Sequence, residues 1–177
     1  MFKSIGKMLE IAKKKDPAAR SKFFILLFYP GVHALMYYKI AHWFYKKRLF
    51  YISELISKRG RFKTGIEIHP GAVLDSSVFI DHGAGVVIGQ TAVVEEGTVI
   101  YHGVTLGANK SIVEGRRHPI VKRNVVVGCG ATILGAITIG ENSKIAAGAV
   151  VLKDVPKNSV VAGIPARIVK ENTYMEG

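Results

Sequence analysis

Histidines and carboxylates cluster near two interruptions of an otherwise regular stretch of this chain. The ionisable residues there are Glu67, His69, Asp81, His82, His102, Arg117 and His118. An imidazole with a carboxylate behind it titrates near neutrality in one fixed tautomer, which suits it to take a proton from a hydroxyl or an amine. Histidines with carboxylates are also raw material for a divalent-metal site. However, no two histidines stand at the helical metal-binding spacing, and Cys129 is the only cysteine, so acid–base chemistry without a metal is the better reading. Spacing alone does not pair a given histidine with a given carboxylate.

The regular stretch that must position these residues starts at Ile66. Aliphatic side chains recur every six positions at Ile66, Ala72 and Val78, then at Ile88, Val94, Ile100 and Leu106, and again at Val121, Val127, Ile133, Ile139, Ile145 and Val151. A six-residue period fits neither a helix nor a single strand. It is the signature of a parallel β-helix in which each flat face takes one hexapeptide and every sixth side chain enters a shared interior. Three hexapeptides make a triangular coil, and small or aliphatic residues four places after each marker (Val125, Ala131, Ile137, Ser143, Ala149) suit a narrow interior. Glu67 and His82 fall within one coil length of each other, which is compatible with contact. The period breaks twice. The ten-residue step from Val78 to Ile88 implies four extra residues around Asp81 to Gly85, and the fifteen-residue step from Leu106 to Val121 implies a loop over ANKSIVEGRRHP. Departures from a repeat are where function is most often placed.

The first third has a helical period instead, with Ala34, Leu35, Tyr38, Ala41, His42 and Tyr45 on one face. Asp16-Pro17 reads as a helix start and Pro30-Gly31 as a break between helices. The expected organisation is a helical cap and trimerisation region over 1–62, a hexapeptide β-helix over 63–170 and a tail over 171–177. Val155 to Ser159 reads as the turn that ends the solenoid. All of the net charge of +12 lies in the first third, because residues 1–63 carry 15 Lys and Arg against three acids and the remainder carries ten of each. Phe23 to Tyr38 is apolar, but it is interrupted by Pro30, Gly31 and His33 and is too short for a spanning helix, so it reads as buried helices. With no secretory leader evident and a lone cysteine, a reducing, cytoplasmic setting is expected.

Longer motifs add a family resemblance. KKKDPAAR (13–20), YPGVHAL (29–35), TGIEIHPGA (64–72), FIDHGAGVVIGQTA (79–92), RRHP (116–119) and VVAGIPARIV (160–169) resemble, in order and spacing, the serine acetyltransferases, over nearly the whole chain. The resemblance implies a left-handed β-helix that moves acetyl from acetyl-CoA to the hydroxyl of L-serine, giving O-acetylserine for cysteine biosynthesis. It implies His82 as general base with Glu67 orienting its ring. It also implies Asp16 and Asp81 on the substrate ammonium, Arg117 and His118 on its carboxylate, and CoA near Gly107, Ala108, Ala147 and Arg167. No metal is implied. A homotrimer with sites between neighbouring β-helices is expected, and a hexamer is the alternative assembly. The chain departs from the family in AlaAsnLysSerIleValGluGly after Gly107. It also ends in ThrTyrMetGluGly rather than isoleucine, which argues against the family's complex with O-acetylserine sulfhydrylase. Two competing readings follow from other features. A hexapeptide acetyltransferase for a sugar or amine would fit the altered loop, although Asp16 has no partner on a sugar. A basic, aromatic helix over Tyr37 to Arg48 would fit a non-catalytic trimer on membrane or nucleic acid. The expected reading is a solvated helix face with neither partner.

Overall fold

The computed structural model describes residues 2–109 and 115–171. Four helices, α1 (Phe2–Lys15), α2 (Lys22–Phe28), α3 (Pro30–Lys46) and α4 (Phe50–Thr64), precede a triangular β-helix. Its first face stacks β1 (Glu67–Ile68), β4 (Val87–Ile88), β7 (Thr105–Gly107), β10 (Thr132–Leu134) and β13 (Val150–Val151). The second face stacks β2 (Val73–Leu74), β5 (Val93–Val94), β8 (Ile120–Val121) and β11 (Thr138–Ile139). The third stacks β3 (Phe79–Ile80), β6 (Val99–Ile100), β9 (Val126–Val127), β12 (Lys144–Ile145) and β14 (Ser159–Gly163). Each of these strands pairs in parallel with the strand one coil away, so three short strands and three corners make a coil of the left-handed β-helix.

The thirteen periodic aliphatics are all buried. Their register differs from the simple period in one respect. Glu67 pairs with Val87 and Ile68 with Ile88, so the column in phase with Ile88 is Ile68, Leu74 and Ile80 rather than Ile66, Ala72 and Val78. The step from Ile80 to Ile88 is eight, and the insertion at Asp81 to Gly85 is therefore two residues, not four. Both columns point inward because the residues on either side of a corner turn share the interior. Ile66 and Ile68 are 2% and 4% exposed.

The first coil has no coil beneath it, so its edge carbonyls need other donors. The helices supply them. Tyr38 donates to Ala72 O at 2.7 Å and accepts from Leu74 N at 3.1 Å, and Ser57 donates to Ile68 O at 2.9 Å. The His42 ring meets Pro70 O at 2.7 Å. Met8, Ala34, Leu35 and Tyr38 complete the same core.

Three local expectations change. Asp16-Pro17 does not start a helix: α1 runs up to it, the Asp16 carboxylate accepts Ala18 N at 2.8 Å in a tight turn, and Ser21 caps α2 by accepting Phe24 N. Asp16 spends its side chain on its own turn, so the capping role passes to Ser21. Phe23 to Tyr38 is helical but not wholly buried, since Phe23 and Phe28 are 70% and 63% exposed. No single described helix is long and apolar enough to cross a membrane, and α2 and α3 bend by 73° at Pro30. The solenoid does not end at Val155 to Ser159. Val155 still bridges Ile139, β14 adds a further strand, and β15 (Ala166–Glu171) folds back antiparallel on β14 to close that edge.

Candidate active site

The insertion after β3 turns the corner between the third and first faces and puts Asp81 and His82 on its outside. His82 has φ +57° and is followed by Gly83 at +69°, where a Cβ would stand 2.4 Å from Ile66 Cδ1. Only glycine fits that second position. Among the described residues, the other non-glycine positions at positive φ are Arg48 and three asparagines, Asn124, Asn142 and Asn158. Asparagine and histidine adopt this conformation more readily than most non-glycine residues, and at position 82 it projects the imidazole from the turn. The His82 side chain is 77% exposed in the single protomer, with Nε2 3.9 Å from Asp81 Oδ1 and its ring 6.3 Å from that of His102.

The same corner recurs in successive coils, where Gly103 N bonds Ala84 O, Gly130 N bonds His102 O and Gly148 N bonds Cys129 O, each at 2.8 Å. His82, His102, Cys129 and Ala147 therefore line one edge of the prism. Ala146 N bonds Val161 O at 2.9 Å, so the β14–β15 hairpin, with exposed Arg167 opposite Ala162, flanks the far end of that edge.

Asp16 reaches this corner through Tyr29, whose hydroxyl donates to Asp16 Oδ2. That bond, burial and the charges of Asp16 and Asp81 push the phenol up to about 12, so it remains a donor at neutral pH. Glu67 opens β1, near the same corner, since Gly85 N bonds Gly65 O at 2.9 Å. Its ion pair is with Arg61 of α4 at 2.9 Å rather than with His82.

Arg117 and His118 are elsewhere, at the corner between the first and second faces. His118 is 7% exposed, and its Nδ1 accepts Thr91 N at 3.2 Å, which leaves the proton of the neutral ring on Nε2. The Thr91 hydroxyl accepts the backbone N–H of Arg117 and of His118 at 3.0 and 3.1 Å. Arg117 Nη2 donates to Gln90 Oε1 at 3.3 Å, and Gln90 donates to the Tyr45 hydroxyl at 3.0 Å. Burial first, then the charges of Arg117 and His69, hold His118 below the usual histidine range. His69 is likewise lowered by burial, against the pull of Glu54, and its Nδ1 accepts Gly71 N at 2.9 Å. Gly107 ends β7 on the side of this corner and Ala108 follows it. The rest of the altered loop at 110–114 and the tail at 172–177 lie outside the described residues.

Within one protomer, then, Asp16, Asp81 and His82 share one corner with Ala147 along its edge, while Arg117 and His118 occupy another with Gly107 and Ala108. Tyr29, Gln90 and Thr91 hold these side chains in place and have no mark in the six-residue period. Tyr29 opens the YPGVHAL motif, and Gln90 and Thr91 lie in FIDHGAGVVIGQTA, but neither motif marked them as site residues. No group of three His, Cys, Asp or Glu among the described residues is arranged to hold a metal ion.

Residues 118–153 match the bacterial transferase hexapeptide (six repeats) family. The chain is 52% identical to the serine acetyltransferase of Synechococcus elongatus, over 96% of this chain and 69% of that protein. It is 49% identical to the serine acetyltransferase of Helicobacter pylori, over 93% and 95% of the two chains. Among solved structures it resembles the serine acetyltransferase of Brucella abortus in complex with coenzyme A (TM-score 0.90, 41% identity, 95% of this chain and 67% of that one). It also resembles that of Neisseria gonorrhoeae in complex with serine (TM-score 0.90, 38% identity, 95% and 68%).

Proposed function

The chain belongs to the serine acetyltransferase family, and from that membership we propose how its own residues divide the reaction. The protein moves the acetyl group of acetyl-CoA to the hydroxyl of L-serine, giving O-acetylserine. A serine hydroxyl is too weak an acid to ionise unaided near neutral pH, so its attack on the thioester requires a base in the transition state. His82 takes that role: as the hydroxyl oxygen bonds the acetyl carbonyl carbon, the imidazole accepts its proton. When the tetrahedral intermediate collapses and the carbon–sulfur bond breaks, the imidazolium returns the proton to the CoA thiolate. Glu67, held on the first face by Arg61, steadies the charged ring.

Asp16 and Asp81 receive the substrate ammonium. Arg117, with a guanidinium fork, and neutral His118, with its Nε2 proton, receive the carboxylate. The observation that carries this assignment is the separation of complementary halves, since the anionic half with the base and the cationic half stand at different corners of one β-helix. A cyclic homotrimer brings the edge of one prism against a different edge of its neighbour, so that each site is built from both. CoA then runs in the cleft, with Ala147 and Arg167 on one wall and Gly107 and Ala108 on the other. In such an assembly the exposed His82 ring becomes an interfacial one.

Release of thiol from acetyl-CoA tests the assignment, with L-serine, D-serine, ethanolamine and a small sugar panel as parallel acceptors. Release with L-serine alone supports both charge clamps. Equal release with ethanolamine removes Arg117 and His118 from the carboxylate, and release with sugars removes Asp16 and Asp81 from the ammonium.

A further inference from the structure

We propose that Tyr29 is a positioning residue that sets selectivity for the acceptor's α-ammonium group, by fixing the Asp16 carboxylate in its orientation beside Asp81. The proposal rests on the reading of Asp16 and Asp81 as the ammonium-binding pair.

Its ground is the way the sequence holds the tyrosine. Tyr29 is the single residue between α2 and α3: its N–H closes α2 on Ile25 O at 3.0 Å, and its carbonyl opens α3 by accepting His33 N at 3.2 Å. Pro30, at the first position of α3, fixes the backbone that follows. Gly31 then sits so close to β3 that a Cβ would stand 2.1 Å from Ile80 O. Ile80 immediately precedes Asp81, so the contact that seats α3 also sets Tyr29 relative to Asp81. The Phe24 ring meets the Tyr29 ring edge-on at 6.4 Å, which limits its swing.

From that position the hydroxyl donates to Asp16 Oδ2, while Ala18 N donates to Oδ1. Each carboxylate oxygen has one fixed donor and keeps a lone pair for a ligand. Without the Tyr29 hydroxyl, Ala18 N is the one described donor left to hold the Asp16 carboxylate, and its Oδ2 would be free to turn. A phenol restrains it without adding a positive charge that would compete with the ammonium. The elevated pKa of the phenol, to which Asp81 contributes, is consistent with a hydroxyl lying within the field of both acids.

The test compares Tyr29→Phe, Asp16→Asn and the double variant by steady-state kinetics, with 3-hydroxypropanoate, which is serine without its ammonium, as a competing ligand. For Tyr29→Phe the KM for L-serine should rise about tenfold. Its kcat and the KM for acetyl-CoA should stay within about twofold, and the inhibition constant of 3-hydroxypropanoate should not move. The double variant should bind serine no worse than Asp16→Asn. An unchanged serine KM in Tyr29→Phe alongside a raised one in Asp16→Asn overturns the proposal and leaves the ammonium reading standing. An unchanged serine KM in Asp16→Asn overturns both. Parallel weakening of 3-hydroxypropanoate and serine, additive effects in the double variant, or loss of folded protein in Tyr29→Phe would assign the hydroxyl to structure alone and likewise overturn it.

Discussion

The histidines of this protein are set apart by their surroundings. His82 stands exposed on a corner at positive φ, whereas His69 and His118 are packed, tied at Nδ1 to backbone N–H groups, and lowered in pKa by burial. An exposed imidazole is free to accept a proton and pass it on; a buried one fixed as a neutral donor suits binding. We therefore expect His82→Ala to lower kcat by about 10²- to 10⁴-fold, with acetyl-CoA binding retained in a calorimetric titration. Retained turnover would remove His82 as the base. This half-buried and buried pair also sets a stability window. A histidine whose folded pKa lies below its unfolded value of 6.5 binds more protons when unfolded, so stability is complete above that pH and falls as pH drops through it. The thermal midpoint should decline on acidification from pH 7 toward 5, and a midpoint that is flat or rising over that range would contradict the neutral assignment. The motifs marked Asp16, Asp81, His82, Arg117 and His118 as a set. Their division between two corners was not legible, because a six-residue period says which residues turn a corner but not which outward side chains converge.

Elements position these side chains through close approaches of backbone. Gly89 follows β4, and a Cβ there would stand 2.1 Å from both Cδ2 and Nε2 of His118. Gly89→Ala should displace the imidazole, cost about 1–3 kcal/mol of stability in urea denaturation and raise the KM for serine more than that for acetyl-CoA. An unaltered serine KM would mean that the ring position does not matter to binding. The hexapeptide faces themselves were legible because thirteen aliphatics repeat in phase and every one of them is buried. The register across Asp81 to Gly85 was not, because Ile66 and Ile68 both face inward and the sequence offers two columns of the same period. The junction of Asp16 with Tyr29 joins two helical turns rather than two coils and so lies outside the repeat altogether.

At the scale of the whole molecule, a β-helix with one helical cap exposes His82 on one edge and carries Arg117 and His118 on another, and the proposed trimer would make one site of them. Joint activity of two dead variants tests this most directly. Chains carrying His82→Ala and chains carrying Arg117→Ala are each expected to be nearly inactive alone, and are co-expressed or refolded together in equal amounts. If each site draws His82 from one protomer and Arg117 from its neighbour, random mixing leaves about a quarter of the sites intact, and thiol release with L-serine should recover to about a quarter of the wild-type rate. Recovery near that level is the expected result. A mixture that stays as inactive as its components, with mixed trimers demonstrably present, would contradict the shared site and require both halves to meet within one chain.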